Sequence, residues 1–151
     1  MIRMDEKFNW GRVVVGGALA GVAMNIISGI INMPILNETY EDLVAQGVYE
    51  KVPRSPFIVL HVLGLFVLGV VVAWLYAVAR HRLGPGARSA LVVGAVVGFV
   101  ASVPSGLSQA SWDPAPYFGP LWWWWLLGGF IKVTVGTFIA AAIYTEDEEE
   151  E

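Results

Sequence analysis

Four long stretches of the chain are apolar on every side, and short polar or glycine- and proline-rich segments separate them. They cover residues 13–36, 57–79, 89–109 and 121–144. Each has roughly the 20 residues that an α-helix needs to cross about 30 Å of hydrocarbon. A transmembrane strand would show apolar and polar residues in alternation, which these stretches lack. The pattern therefore predicts an all-α fold, a four-transmembrane-helix bundle formed by the single domain 13–144.

The basic residues of the loops predict the orientation of this bundle. Six of them lie in the N-terminal segment 1–12 and around the second loop, and two lie in the first loop: Arg3, Lys7, Arg12, Arg80, Arg82 and Arg88 against Lys51 and Arg54. Cytoplasmic loops carry the excess of Lys and Arg. We therefore expect cytoplasmic N- and C-termini and a multi-pass protein of the cell inner membrane.

The acidic residues are concentrated at the end of the chain. Removing the six acidic residues of 146–151 would change the net charge from −4 to +2. The net negative charge of the chain is therefore located in this C-terminal tail. The segment 145–151 lacks apolar residues and is predicted to be a disordered cytoplasmic tail. It either solubilises the terminus or binds a basic surface.

The first and third apolar stretches share a spaced pattern of small residues. Gly17-Ala18-x-x-Gly21 with Ser28-Gly29 recurs as Gly94-Ala95-x-x-Gly98 with Ser105-Gly106, at a constant offset of 77 residues (94 − 17 and 106 − 29), and Asn25 falls on Ser102. The second and fourth stretches match more weakly, through Gly69 with Gly136. The simplest interpretation is two pseudo-repeated helical hairpins. Chance matching of glycine in apolar helices is the alternative.

Small residues also recur at helical spacing within single stretches. The set that we expect at helix-packing contacts is Gly17, Gly21, Gly29, Gly94, Gly98, Gly128 and Gly136. Small side chains let two helices approach closely in lipid, where packing drives association. Packing seams within the bundle and contacts with another chain both fit this pattern.

Lys132 lies near the middle of the fourth apolar stretch, about 12 residues from either end. Placing a lysine at this depth costs about 2.5–3.5 kcal/mol on insertion scales, and no Asp or Glu lies in any span to offset it. Asn25 and Ser102 are predicted at similar depth. These three residues are candidates for a buried polar contact with a partner or for a polar path, and snorkelling of Lys132 is the alternative.

A second group of polar and aromatic residues falls in the outer half of the predicted bundle. Its members are Asn32, His61, Ser105, Gln109, Trp122, Trp123, Trp124 and Trp125. Pro104 should kink the third helix and free backbone carbonyls, which need polar company in lipid. We predict an outward-opening pocket walled by tryptophan, suited to a headgroup, a quinone-like ring or a pigment tail. A closed cluster whose side chains satisfy one another is the alternative.

Other aromatic residues are expected at the inner lipid interface, namely Trp10, Trp74, Tyr76 and Tyr144. In the first loop, Thr39-x-x-Asp42 resembles a helix-capping box and Gly47 a helix stop. This pattern predicts a short amphipathic helix on the outer surface, with Tyr40 on its apolar face. A polar loop with a few apolar anchors is the alternative.

Catalysis and cofactors find little support in the sequence. The chain has no cysteine, and its spans lack the paired acids that proton transfer uses. His61 and His81 are 20 residues apart, about 30 Å along one helix, so they cannot ligate one haem together. We expect no enzyme, no metal and no cofactor; ligation of haem or chlorophyll by His61 alone is an alternative.

Three parts of the chain resemble segments of known membrane proteins. They are the glycine-rich first stretch with Asn25 and Pro34, the run from Trp74 and Tyr76 to Gly84-Pro85-Gly86, and the tryptophan-rich fourth stretch. Together they resemble a broad group of small, uncharacterised bacterial four-helix membrane proteins. The resemblance implies a fold and a membrane location and no activity.

These features favour a non-catalytic integral membrane protein. We expect an accessory or scaffold subunit of a larger membrane complex, respiratory or photosynthetic. The alternatives are a small oligomeric transporter or channel, or a bundle that binds lipid, quinone or pigment. The expected partners are membrane lipids and other membrane protein subunits or further copies of the chain, and no nucleic acid.

Overall fold

A computed structural model describes residues 9–112 and 120–144 of the protein, and this part of the chain is helical without strands. The helices are α1 (Trp10–Ile30, continued by a π-helical turn, Ile31–Ile35), α2 (Asn37–Ala45), α3 (Phe57–Leu83), α4 (Ala87–Trp112) and α5 (Pro120–Ile143). The segments 1–8 and 145–151, and with them the predicted disordered tail, lie outside the described residues.

Four helical segments are long and apolar enough to cross a membrane. They are Trp10–Ile35, Phe57–Leu83, Ala87–Ser108 and Leu121–Ile143, with 22 to 27 residues each. They coincide with the four apolar stretches of the sequence, so the predicted all-α architecture with four membrane-compatible helices is confirmed. This is the organisation of a multi-pass membrane protein.

Both ends of the described chain meet the α3–α4 turn at one end of the bundle, here called the termini end. Arg12 Nη1 donates to the Ile143 carbonyl at 3.3 Å, and Arg80 Nη1 donates to the Tyr144 carbonyl at 3.3 Å. In the turn, Gly84 and Gly86 have φ values of 83° and 110°, which side-chain-bearing residues rarely adopt. The opposite end, which carries α2, is called the α2 end.

The tightest packing lies toward the termini end. A continuous cluster of buried residues there includes Val13, Ala20, Met24, Val72, Tyr76, Val133, Ala140 and Tyr144. Tyr76 and Tyr144 are 2% and 3% exposed, and their rings meet edge to face with centroids 6.3 Å apart. Their predicted place at the lipid interface is therefore wrong: they are core residues, because each ring finds an aromatic neighbour inside the bundle.

Glycines allow the closest approaches between consecutive long helices. A Cβ atom at Gly17 would lie 2.5 Å from Val70 Cα, and one at Gly21 would lie 2.8 Å from Phe66 Cα, so α1 and α3 touch backbone to backbone. On the other hairpin, a Cβ atom at Gly94 would lie 2.8 Å from Thr134 Cα. Only glycine permits such distances.

Helices α1 and α5 join the two hairpins, again across glycines. Added Cβ atoms at Gly128 and Gly136 would meet the side chains of Ile31 and Met24 on α1. Gly69 also faces α1, across Gly17. Gly69 and Gly136, the two glycines aligned between the second and fourth stretches, therefore both pack on α1. A two-fold axis that relates α1 to α4 would instead place Gly136 against α4.

The chain reverses after α1 through the π-helical turn, which contains Pro34 and widens the helix before α2. The predicted surface helix is present as α2. It begins at Asn37 and not after a Thr39 cap, and no side chain caps its N-terminus. The capping-box assignment is therefore wrong. Gly47, with a φ of 73°, follows the end of the helix as expected.

Candidate functional site

A large cleft occupies the α2 half of the bundle, between the packed core and α2. Its volume is about 1920 Å³, and residues from all four long helices, from α2 and from segment 47–54 line it. Pockets for drug-sized ligands occupy about 300–1,000 Å³, so this cleft could hold a larger guest. The lining parts of α3 (58–68) and α4 (101–106) belong to the α2 halves of those helices. The two helices meet at the termini end and form separate walls of the cleft above it.

The residues predicted at mid-membrane depth form the floor of this cleft. Asn25 of α1, Ser102 of α4 and Lys132 of α5 all line it. The Asn25 amide donates to the Gly21 carbonyl at 2.9 Å and to the Val62 carbonyl at 3.3 Å, so it ties α1 to α3. The structure therefore joins the two predicted polar groups, the mid-depth residues and the outer pocket, in one cavity.

Lys132 is half-buried on this floor. Within residues 9–112 and 120–144, its ammonium group makes neither a hydrogen bond nor an ion pair; the one salt bridge described there joins Arg54 and Glu50. His61, on the facing wall, lies within electrostatic range of Lys132. The four acidic residues of the described chain lie at the α2 end, in segment 38–50.

A chain of hydrogen bonds runs across the cleft and holds α2 against the bundle. Trp125 Nε1 donates to the Tyr40 hydroxyl at 3.0 Å, and Tyr40 donates to Asn32 Oδ1 at 2.7 Å. The Asn32 amide donates to the Ser28 carbonyl at 2.8 Å, and Ser28 Oγ lies 3.5 Å from His61 Nε2. Four helices thus contribute to a single polar chain, here called the Tyr40 chain.

The hydroxyl of Tyr40 is suited to its place in this chain. Burial raises the pKa of Tyr40, an effect that outweighs the opposing hydrogen bond from Trp125. The hydroxyl therefore keeps its proton and remains a donor to Asn32. Because Trp125 donates, and Tyr40 and Asn32 each both donate and accept, the chain satisfies these polar groups inside the bundle.

The four consecutive tryptophans have different environments. Trp122 is 7% exposed and donates from Nε1 to the Gly106 carbonyl of α4 at 3.2 Å, whereas Trp123 is 49% exposed. Trp124 and Trp125 line the cleft. The prediction that all four wall the pocket is therefore wrong for Trp122 and Trp123, because successive residues of a helix point about 100° apart.

Helix α4 continues through Pro104 to Trp112. Pro104 removes the amide hydrogen that would pair with the carbonyl one turn earlier. Next to this gap, Ser105 Oγ donates to the carbonyls of Ala101 and Ser102 at 2.8 and 3.1 Å. Ser105 lines the cleft but uses its hydroxyl within its own helix. The side chain of Gln109 lies outside the described residues.

The mouth of the cleft carries charges of both signs. Glu50 and Arg54 form an exposed ion pair, and this hydrogen bond lowers the pKa of Glu50. Glu41 accepts a hydrogen bond from Asn37 at 2.8 Å, and Lys51 also lines the mouth. The charges at the mouth therefore largely balance, in contrast to the single cation on the floor.

Sequence reasoning left two members out of the pocket. Ser28 was considered only as part of the repeated pattern, and Tyr40 only as part of the apolar face of the surface helix. In the structure they connect Asn32 to His61 and to Trp125. The i, i+4 spacing of Ser28 and Asn32 was an available signal. Gly29, predicted as a packing glycine, has no atom within 4 Å of an added Cβ and lines the cleft instead.

Metal and haem chemistry gain no support from the arrangement. The described residues hold no group of three His, Asp or Glu side chains that could bind a metal ion. His61 and His81 lie near opposite ends of α3. No family model, curated protein or solved structure matches this chain.

Proposed function

We propose that the protein is a non-catalytic membrane protein whose cleft binds an apolar or amphipathic guest taken from the membrane, of the lipid, quinone or pigment class. The carrying observation is a cavity of about 1920 Å³ bounded by four membrane-compatible helices. Its walls combine aliphatic side chains and the rings of Trp124 and Trp125 with polar groups at the mouth, in the Tyr40 chain and on the floor. This composition suits molecules with a large apolar body and one polar part.

The proposal includes an orientation and a symmetry. The excess of Lys and Arg at the termini end supports a cytoplasmic location of both termini in an inner membrane, so that the cleft faces outward. Equivalent approaches within the hairpins, Gly17 on Val70 and Gly94 on Thr134, support two pseudo-repeated units. The placement of Gly136 on α1 limits that repeat to the pairing within each hairpin.

A substitution that fills the cleft tests whether a guest molecule binds there. Gly29 lines the cleft, Gly64 faces outward from α3, and neither has an atom within 4 Å of an added Cβ. We expect lipophilic molecules extracted from the purified protein to include one near equimolar amount, seen by mass spectrometry. Gly29→Trp should lose it, and the matched Gly64→Trp should retain it. Absence of a stoichiometric guest from the wild type, or its retention in Gly29→Trp, would contradict the proposal.

The other functional classes remain predictions. A continuous channel is less well supported, because Met24 and Val72 are fully buried and do not line the cleft. An accessory or scaffold subunit is tested with Lys132→Met: loss of a co-purifying subunit in mild detergent would favour it. A change of flux with intact assembly would favour a transporter.

A further inference from the structure

Lys132 is a cation with no anion among its described neighbours. It lines the cleft floor, and the acidic side chains of the described chain lie at the α2 end, in segment 38–50. Trp125, at the level of the Tyr40 chain, is seven residues from Lys132, which places the lysine about 10 Å deeper along α5. An unpaired ammonium at this depth attracts anions strongly, because the surroundings screen charge poorly.

The other groups of the floor can assist an anion. The Ser102 hydroxyl makes no hydrogen bond within residues 9–112 and 120–144, so it is available to donate. The Ser102 side chain packs against Gly129 of α5, where an added Cβ would clash with it, and Gly129 lies one helical turn from Lys132. His61 stands above the floor and can donate from a ring nitrogen. These donors reach the cleft from three helices.

The walls above the floor carry apolar side chains beside the Tyr40 chain. Ile31 on the π-helical turn after α1, Ile58 on α3, Ala101 on α4 and Leu126 on α5 line the space between Lys132 and the mouth. A small hydrophilic anion would leave these surfaces without a partner. An aliphatic or flat apolar body would cover them.

We infer that the guest is an amphipathic anion from the membrane, whose carboxylate or phosphate head binds Lys132 and Ser102 and whose apolar body fills the cleft toward Trp124 and Trp125. The inference rests on the proposed guest-binding function and adds the charge and the direction of the guest. It also explains how a chain without acids in its spans accommodates Lys132: the ligand supplies the counter-charge.

Two probes of equal chain length separate the charge from the apolar body. A fatty acid and a fatty alcohol, each with bromine at the tail end, are titrated into neutral-lipid nanodiscs that contain the protein, at a pH that ionises the acid. Bromine quenches tryptophan fluorescence at contact. The saturable part of the quenching reports Trp124 and Trp125, which line the cleft, while the exposed rings of Trp10, Trp74 and Trp123 give an unsaturable background equal for both probes.

The acid should bind at least roughly tenfold more tightly than the alcohol, the difference expected for hydrogen bonds to charged groups. Lys132→Met should abolish this preference, Lys132→Arg should keep part of it, and Arg82→Met, which removes a cation at the termini end, should leave it unchanged. Lys132→Gln replaces the Met variant if that protein does not fold, as judged by size-exclusion chromatography.

Each contrary result has a distinct meaning. Equal saturable binding of acid and alcohol overturns the anionic guest and leaves the proposed function standing. A preference that survives Lys132→Met also overturns it, because the anion would then bind elsewhere. Displacement of the acid by acetate at equal concentration overturns the amphipathic guest in favour of a small anion. No saturable quenching by either probe overturns the inference, and the stoichiometric guest sought by mass spectrometry then decides the proposed function.

Discussion

Replacing Gly17 with alanine should force α1 and α3 apart. The added Cβ atom would lie 2.5 Å from Val70 Cα and 2.8 Å from Val70 N, about 0.9 Å and 0.6 Å inside the 3.4 Å at which ordinary contact begins. Because these two nearest atoms belong to the backbone of α3, the clash cannot be relieved by rotating a side chain. Overpacking of this kind costs about 1–3 kcal/mol.

Alanine also favours the helix by about 0.5–1 kcal/mol over glycine, so the expected net loss of stability is about 1–2 kcal/mol. Gly29→Ala on the same helix is the matched control, because nothing lies within 4 Å of its added Cβ. It should be neutral or slightly stabilising. Unfolding by a rising fraction of sodium dodecyl sulfate, followed by far-ultraviolet circular dichroism, measures both variants. Equal midpoints for Gly17→Ala and Gly29→Ala would refute the close approach of α1 and α3.

Three further predictions concern the Tyr40 chain, the orientation and the cofactor content. Tyr40→Phe leaves Asn32 Oδ1 without its donor and should cost about 1–2 kcal/mol, with faster proteolysis in 37–54; unchanged proteolysis would argue against the chain. Burial raises the pKa of Tyr40 above its ordinary value of 10.0. The stability that its protonated hydroxyl contributes is therefore complete below pH 10 and is lost as the pH rises through the folded-state pKa. The tyrosinate absorbance that disappears in Tyr40→Phe should accordingly titrate above pH 10. Reporter fusions at Glu38 should read outside and fusions after Arg82 and Tyr144 inside, and an outside reading after Tyr144 would contradict the four-span topology. The purified protein should show no visible absorption band that depends on His61; a band that His61→Ala removes would establish ligation of a haem or pigment.

The sequence was sufficient for the helices because lipid imposes a simple rule. A span must satisfy its backbone internally and be apolar over about 20 residues, and both conditions can be recognised without knowledge of the neighbours. Depth is similarly predictable, since each helix advances about 1.5 Å per residue. This is why Asn25, Ser102 and Lys132 were placed at one level and occur together on the cleft floor.

The side of each helix that faces the core, the cleft or the lipid was harder to predict. Apolar residues on all sides leave no stripe that distinguishes core from lipid, so Tyr76 and Tyr144 were placed at the interface although they are buried. Gly29 was placed in a packing seam although it borders the cleft. Both assignments depend on where α3 and α5 lie relative to α1, which is a property of the whole assembly.

The short turn at Gly84–Gly86 determines how the walls of the cleft can move. The amide of Gly86 donates to the Tyr76 hydroxyl at 3.1 Å, and the Ser89 hydroxyl donates to the Gly84 carbonyl, so the two helix ends are fastened together. From this fixed point α3 extends over 27 residues, about 40 Å. A rotation of about 5° at the turn would displace the far end by about 3.5 Å, roughly the thickness of an aromatic ring. A change in the angle between α3 and α4 at this turn would therefore change the width of the cleft at its far end.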